Sequence, residues 1–237
     1  MHGPARPDHT VTADSGTPGI KDADIHKVIR LLRRQVKGLD VPWLDEMASV
    51  DRDPFRVLVS CILSLRTQDR TTGEASRRLF ALASSPEEMA SLSEDEIRKA
   101  IYPVGFYRVK AERIKALSET IVRTFGGKVP GSIDELLKLK GVGRKTANLV
   151  VTLGFNRPGI CVDTHVHRIT NRWGYVRTKT PEETEFALRK KLPRRYWKEL
   201  NGLLVAFGQG VCRPISPLCS ACDIREFCDR RGVTRSR

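Results

Sequence analysis

Two groups of residues in this sequence have types and spacing suited to chemistry. The first is a run of four of the six cysteines, Cys212, Cys219, Cys222 and Cys228, spaced C-x6-C-x2-C-x5-C. Four thiolates this close along a chain can wrap one metal centre. Structural zinc more often uses two paired knuckles separated by a longer insert. A single compact run therefore favours an iron–sulfur cluster, with zinc as the alternative. Cys61, in an apolar run, and Cys161, before Val162, read as ordinary core cysteines. The second group is Lys145 with Asp163. Lys145 falls in the first turn of a predicted helix, a position that disfavours a cation and suits an amine acting as a nucleophile in its neutral form. A solvated lysine in a basic patch is the plainer alternative. Asp163 opens Val-Asp-Thr-His just before an apolar helical stripe, where aspartate is a favoured N-cap that can offer its second oxygen to a neighbour.

Residues 133–155 read IDELLKLKGVGRKTANLVVTLGF. The pattern predicts one helix ending near Lys140 and a second starting near Arg144, with Gly141 and Gly143 between them. Glycine permits positive φ and leaves backbone amides uncovered. Amides at the start of the second helix then point outward with the positive end of its dipole, among Lys138, Lys140 and Arg144. The hairpin reads as a site for DNA backbone phosphate, or as a tight turn with no ligand. A nucleotide P-loop is excluded, because that motif needs a preceding strand and Gly-Lys-Ser/Thr at its end.

The elements that must position these residues read as helices. Ile25, Val28, Ile29, Leu32 and Val36 recur at helical spacing, and Gly38 follows as a stop. Pro54 opens a segment, Phe55–Leu65, that is apolar on nearly every face and so belongs at the centre of a domain. Further stripes run through Ile114, Leu117, Ile121 and Phe125, and through Val166, Ile169 and Trp173, closed by Gly174. Ser93 with Glu96, Ser132 with Glu135, and Thr180 with Glu183 fit the capping-box pattern. Hairpin signals and fixed-period repeats are missing, so the predicted fold class is all-α.

The chain has 237 residues and a formal net charge of +14, which points to an anionic partner, nucleic acid above all. The longest apolar stretch, Val57 to Leu65, is too short to span a bilayer. The N-terminus lacks the apolar core of a secretory signal, and residues 1 to about 20 read as a disordered tail. An intracellular location is expected, cytoplasmic or at the nucleoid in a prokaryote. There, clustered cysteines are metal ligands before they are disulfides.

The stretch LKGVGRKTANLVV, followed by CVDTHVHRITNR, resembles the helix–hairpin–helix and Gly-Pro-Asp region of endonuclease III-type DNA glycosylases. Similarity runs from about Pro54 to Cys228, with IYPVGFYRVKAERI and NGLLVAFGQGVCRP adding to it. The resemblance implies that Lys145 is the nucleophile and Asp163 its partner. It implies a [4Fe–4S] cluster on Cys212, Cys219, Cys222 and Cys228, with Arg213, Arg225, Arg230 and Arg231 of the surrounding loop near DNA phosphates. It places Phe106 as an apolar wedge and Arg66 beside the orphaned base, with Asp69 near the pocket. Glutamine is common where Arg66 stands; an arginine fork matches the acceptor pair of guanine, so guanine is expected opposite the lesion.

The implied architecture is two interleaved domains with a cleft between them. Residues 47–157 would form a six-helix domain with the hairpin, and residues 21–46 plus 158–237 the cluster domain. The implied activity is removal of oxidised or damaged pyrimidines from double-stranded DNA, with AP lyase cleavage through a lysine Schiff base, by a monomer. Three alternatives stand beside it. A mismatch thymine or uracil glycosylase would share the scaffold. A monofunctional adenine glycosylase would carry a glutamate where Cys61 stands. A non-catalytic helix–hairpin–helix module would bind DNA without cutting it.

Overall fold

A computed structural model describes residues 19–39 and 42–237. The expected disordered tail falls on residues 1–18, outside the described residues, except at its end. There the expectation fails: Ile20 is buried, and its N–H donates to the Trp173 carbonyl at 3.1 Å. The fold is all-α, and no strand forms among the described residues. The α-helices are α1 (Ile25–Gln35), α2 (Trp43–Val50), α3 (Pro54–Ser64), α4 (Asp69–Leu82), α5 (Pro86–Ser91) and α6 (Glu94–Ile101). Then come α7 (Tyr107–Phe125), α8 (Ile133–Leu136), α9 (Arg144–Leu149), α10 (Thr164–Arg172), α11 (Pro181–Lys191) and α12 (Leu200–Gly210). Among the described residues, no helix is long and apolar enough to cross a membrane.

Local chemistry sets the helix boundaries. Pro54 opens α3, and Asp53 caps it by accepting the Arg56 N–H at 2.8 Å. Ser93 and Glu96 form the expected capping box, and Ser85 with Glu88 forms one that the sequence reading passed over. The other two expected boxes are incomplete. Ser132 and Thr180 each accept the N3 amide, but the Ser132 hydroxyl donates to the Glu135 carboxylate, and Glu183 takes the Lys179 N–H instead of that of Thr180. The first hairpin helix is only one turn long. The β-branched run after α9 widens into a π-helical turn, Val150–Gly154. Gly154 ends it against Pro54, whose Cα would lie 2.9 Å from an added Cβ.

The buried apolar residues form two clusters. One is built on α3, which is apolar all round and packs against α2, α4, α7 and α9; it includes Leu58, Leu63, Ile114, Ala147 and Val150. The other joins α1 to α10, α11 and α12 through Ile29, Val166, Leu188 and Phe207, around a fully buried Trp173. The chain enters the second cluster first, crosses into the first at α2–α3, and returns near Ile160. Burial at about 25 cal/mol per Å² of apolar surface is what holds each cluster together.

Candidate active site

The helices that carry Lys145 and Asp163 end at one cleft. Lys145 lies in the first turn of α9, anchored in the first cluster through Ala147 and Leu149. Asp163 is the N-cap of α10, where Oδ1 accepts the Val166 N–H at 2.8 Å. Both are half-buried and line the same cleft of about 940 Å³, together with Arg66, Asp69, Arg144 and His165. The two residues left apart by the sequence are therefore brought together. The cleft volume falls in the range of sites that admit a small ligand or nucleotide.

The electrostatics of the cleft come from burial. Asp45 in α2 lines the wall, and burial, with Asp69 nearby, pushes its carboxyl up to about 6. His165 is pushed below the usual imidazole range by burial and by Arg168 and Lys145, against the pull of Asp163. The Arg144 guanidinium makes a bidentate pair with Glu185, at 3.0 Å from Nε and 2.7 Å from Nη2. Asp45 and Glu185 were missed by sequence reasoning, since neither belongs to a motif and each reaches the cleft from a distant segment.

In the hairpin, Gly141 has φ +87°, a conformation side chains rarely adopt. Gly143 does not need that freedom: as N-cap of α9 it has φ −94° and ψ 173°, ordinary extended backbone. What it contributes is an uncovered surface, since an added Cβ would meet nothing within 4 Å.

Arg66 and Phe106 lie on adjoining turns. Both are non-glycine residues held at positive φ, 53° and 58°. The Arg66 guanidinium stacks over the Phe106 ring at 5.5 Å. Arg66 lines the cleft; Phe106 is 61% exposed and stands outside it. Phe106 is thus not a core residue. Beneath them, the buried Lys110 amine donates to the Leu63 carbonyl at 2.8 Å, the Leu65 carbonyl at 2.5 Å and Thr67 Oγ1 at 3.1 Å. Thr67 Oγ1 in turn accepts the Gly105 N–H at 3.2 Å.

Cys212, Cys219, Cys222 and Cys228 surround a single small cavity floored by Trp173 and Phe207. The short 3-10 turns Cys219–Ala221 and Arg225–Phe227 carry the chain between them. Arg172 Nη1 donates to Cys212 Sγ at 3.3 Å, and the Arg230 N–H to Cys228 Sγ at 3.4 Å. Burial pushes the Cys212 and Cys228 thiols up, and these two donors pull the other way, toward the thiolate that metals bind. Among the described residues, no group of three or more His, Cys, Asp or Glu closes round a single ion. Nearby, Arg231 pairs with Asp229, and Arg213 donates to the carbonyls of Gln209 and Gly210 at the end of α12. Cys61 and Cys161 are both buried, as expected; burial pushes the Cys61 thiol up to about 12.

Residues 59–194 match the HhH-GPD superfamily of base excision DNA repair proteins. Endonuclease III of Thermotoga maritima is 50% identical over 185 residues, covering 77% of this chain and 87% of that protein. Endonuclease III-like protein 1 of Gallus gallus is 42% identical over 211 residues, covering 86% of this chain and 75% of its own. Among solved structures, a trapped endonuclease III–DNA covalent intermediate superposes with a TM-score of 0.77 at 31% identity. It covers 88% of this chain and 96% of that one. The fold and cleft thus define a helix–hairpin–helix DNA glycosylase of base excision repair. Within that class the chain belongs to the endonuclease III family of DNA glycosylase/AP lyases.

Proposed function

We propose that this protein removes oxidised or otherwise damaged pyrimidines from duplex DNA and cleaves the resulting abasic site by β-elimination through Lys145. The observation that carries this reading is that Lys145 and Asp163 share one nucleotide-sized cleft. A glycosylase must take its target out of the stack, and the cleft would receive the flipped nucleotide. The Lys145 Nζ lone pair attacks the sugar C1′. The glycosidic C–N bond breaks, and its electron pair leaves with the base, which takes up a proton. The nitrogen gives up one proton. The C1′–O4′ bond then breaks with its electron pair going to O4′, which takes up a proton, and the nitrogen, keeping its last proton, becomes a protonated Schiff base. Removal of a C2′ proton then expels the 3′ phosphate, and water releases the lysine. Asp163, held at Oδ1 by its own helix, assists the amine and faces cationic character on the sugar.

Gly141, Gly143 and the α9 amides are assigned to the DNA backbone, Phe106 to the gap left in the stack, and Arg66 to the orphaned base. The two apolar clusters support a division into residues 47–157 and residues 21–46 plus 158–237. Cys212, Cys219, Cys222 and Cys228 would hold a [4Fe–4S] cluster, a reading supported by their common cavity and the donors on two of the sulfurs. When bound, that cluster would cross-link the C-terminal loop and fix its arginines toward DNA. The protein would act as a monomer on DNA containing damaged bases or abasic sites.

Borohydride reduction in the presence of abasic-site DNA tests the reading. A covalent adduct is expected with the intact protein and is expected to disappear in Lys145→Ala. No adduct with the intact protein would leave a binding module or a monofunctional enzyme.

A further inference from the structure

A closed ring of hydrogen bonds ties α9 to α11 beside the cleft. Glu185, only 2% exposed, accepts the Arg144 fork on both oxygens and Arg189 Nε at 2.9 Å. Arg189 Nη2 donates to Asn148 Oδ1 at 3.1 Å, and Asn148 Nδ2 donates to the Arg144 carbonyl at 3.1 Å. The ring therefore begins at the Arg144 side chain and returns to the Arg144 backbone. That carbonyl belongs to the peptide unit whose nitrogen is that of Lys145, so the ring holds the backbone of the proposed nucleophile. It also spans the two apolar clusters, because α9 is rooted in the first through Ala147 and Leu149, and α11 in the second through Leu188.

Such a ring is costly to bury unless every partner is satisfied. Burial pushes the Glu185 carboxyl up, but hydrogen bonds from Arg144 and Arg189 outweigh that and hold it below the usual carboxylate range. The Arg144 guanidinium also lies over the Phe186 ring, at 4.8 Å. It is thus engaged on its face as well as its edge, an arrangement suited to fixed position more than to reaching for a phosphate.

We infer that Glu185, with Arg144, Arg189 and Asn148, is a positioning device that sets Lys145 against Asp163 across the cleft, and that Arg144 serves this ring instead of DNA backbone. The inference rests on Lys145 being the nucleophile. Glu185, 41 positions from Arg144 in sequence, would then control the reaction without touching substrate. Geometry errors near 1 Å at a nucleophile can cost about a hundredfold in rate, so even partial loosening should be measurable.

The test measures the single-turnover lyase rate at saturating abasic-site duplex, and the duplex Kd across a salt series, for Arg144→Lys, Glu185→Gln and the double variant. Each single variant is expected to be slower by about tenfold or more, with Kd within about threefold of the parent. The slope of log Kd against log salt is expected to be unchanged; a lost phosphate contact would lower it by about 0.9. The double variant is expected to be no slower than the slower single, because both changes open one ring. Rates within about twofold of the parent, a Kd loss at unchanged saturating rate, or losses that multiply in the double variant would each overturn the inference. Asn148→Ala keeps both ion pairs and removes the arm that runs from Arg189 through Asn148 to the Arg144 carbonyl. It is expected to slow the reaction about fivefold with a modestly lower melting temperature, since Arg189 Nη2 loses its partner, and an unaltered rate in the folded variant would overturn the inference even if the ion-pair variants fail to fold. If the parent protein itself forms no borohydride adduct, it is the lyase reading that fails.

Discussion

Lys110 is where a single substitution should be felt most widely. The residue is 4% exposed, and its amine donates to two backbone carbonyls and one hydroxyl at the end of α3 and in the turn that follows. Burial, with Arg113 close by, pushes this lysine down to about 8. Lys110→Met keeps the length of the side chain and removes all three donors. Each buried carbonyl deprived of its partner costs roughly 1–3 kcal/mol, while release of a buried cation returns part of that. The expected net loss is about 2–4 kcal/mol, read as a lower urea midpoint with an unchanged m-value. A second effect should accompany it. Arg66 and Phe106 sit at positive φ, which costs an L-residue about 1–2 kcal/mol, so the two turns persist only while their surroundings hold them. With the Lys110 amine gone, the turns should relax and any opposite-base preference should flatten. A stability loss below about 1 kcal/mol would refute the load assigned to these bonds. Opposite-base preference that survives a full stability loss would refute the link between Lys110 and specificity.

Asp45→Asn should stabilise the protein at pH 8 and be neutral at pH 3.5. The folded-state value near 6 lies above the ordinary 3.8, so the native state binds more protons and loses stability as pH rises between those values. The shift corresponds to about 3 kcal/mol, and a melting difference that is the same at both pH values would contradict it. Arg66→Gln should reduce excision of a damaged pyrimidine opposite guanine relative to the other three bases, by about 1–3 kcal/mol of discrimination. A four-base panel checks this, and identical profiles would exclude readout by Arg66. Gly141→Ala should cost about 1–2 kcal/mol in thermal stability for its φ of +87°, while Gly143→Ala, extended and open, should cost less than about 0.5. Equal costs at the two glycines would refute the conformational assignment. Cys219→Ser should reduce bound iron and visible absorbance and lower the melting temperature. Full iron content in that variant would remove Cys219 from the ligand set.

The features legible in the sequence are those decided by residues a few positions apart. Asp53 with Pro54 starts α3, Ser93 with Glu96 starts α6, and Gly38 and Gly174 end helices, because caps and left-handed turns are local. The cysteine spacing and the Gly-Val-Gly hairpin are readable for the same reason, and the all-round apolar α3 marked itself as central. Even local patterns had limits. Thr180 and Glu183 match a capping box, yet the Glu183 carboxylate settled on the neighbouring Lys179 amide.

Tertiary structure alone decided which distant groups meet. Asp45, Lys110 and Glu185 carry no motif, and their importance comes from burial beside partners far along the chain. Arg144 shows the division clearly. Its place at the start of α9, next to basic neighbours, suggested a phosphate contact, but the packing of α11 offers it a buried carboxylate at hydrogen-bond distance. Sequence specifies side-chain chemistry and helix ends through short-range sterics and hydrogen bonds. Which side of a cleft each group occupies is set by how two apolar clusters close on each other, an outcome of long-range burial that no window of neighbouring residues contains.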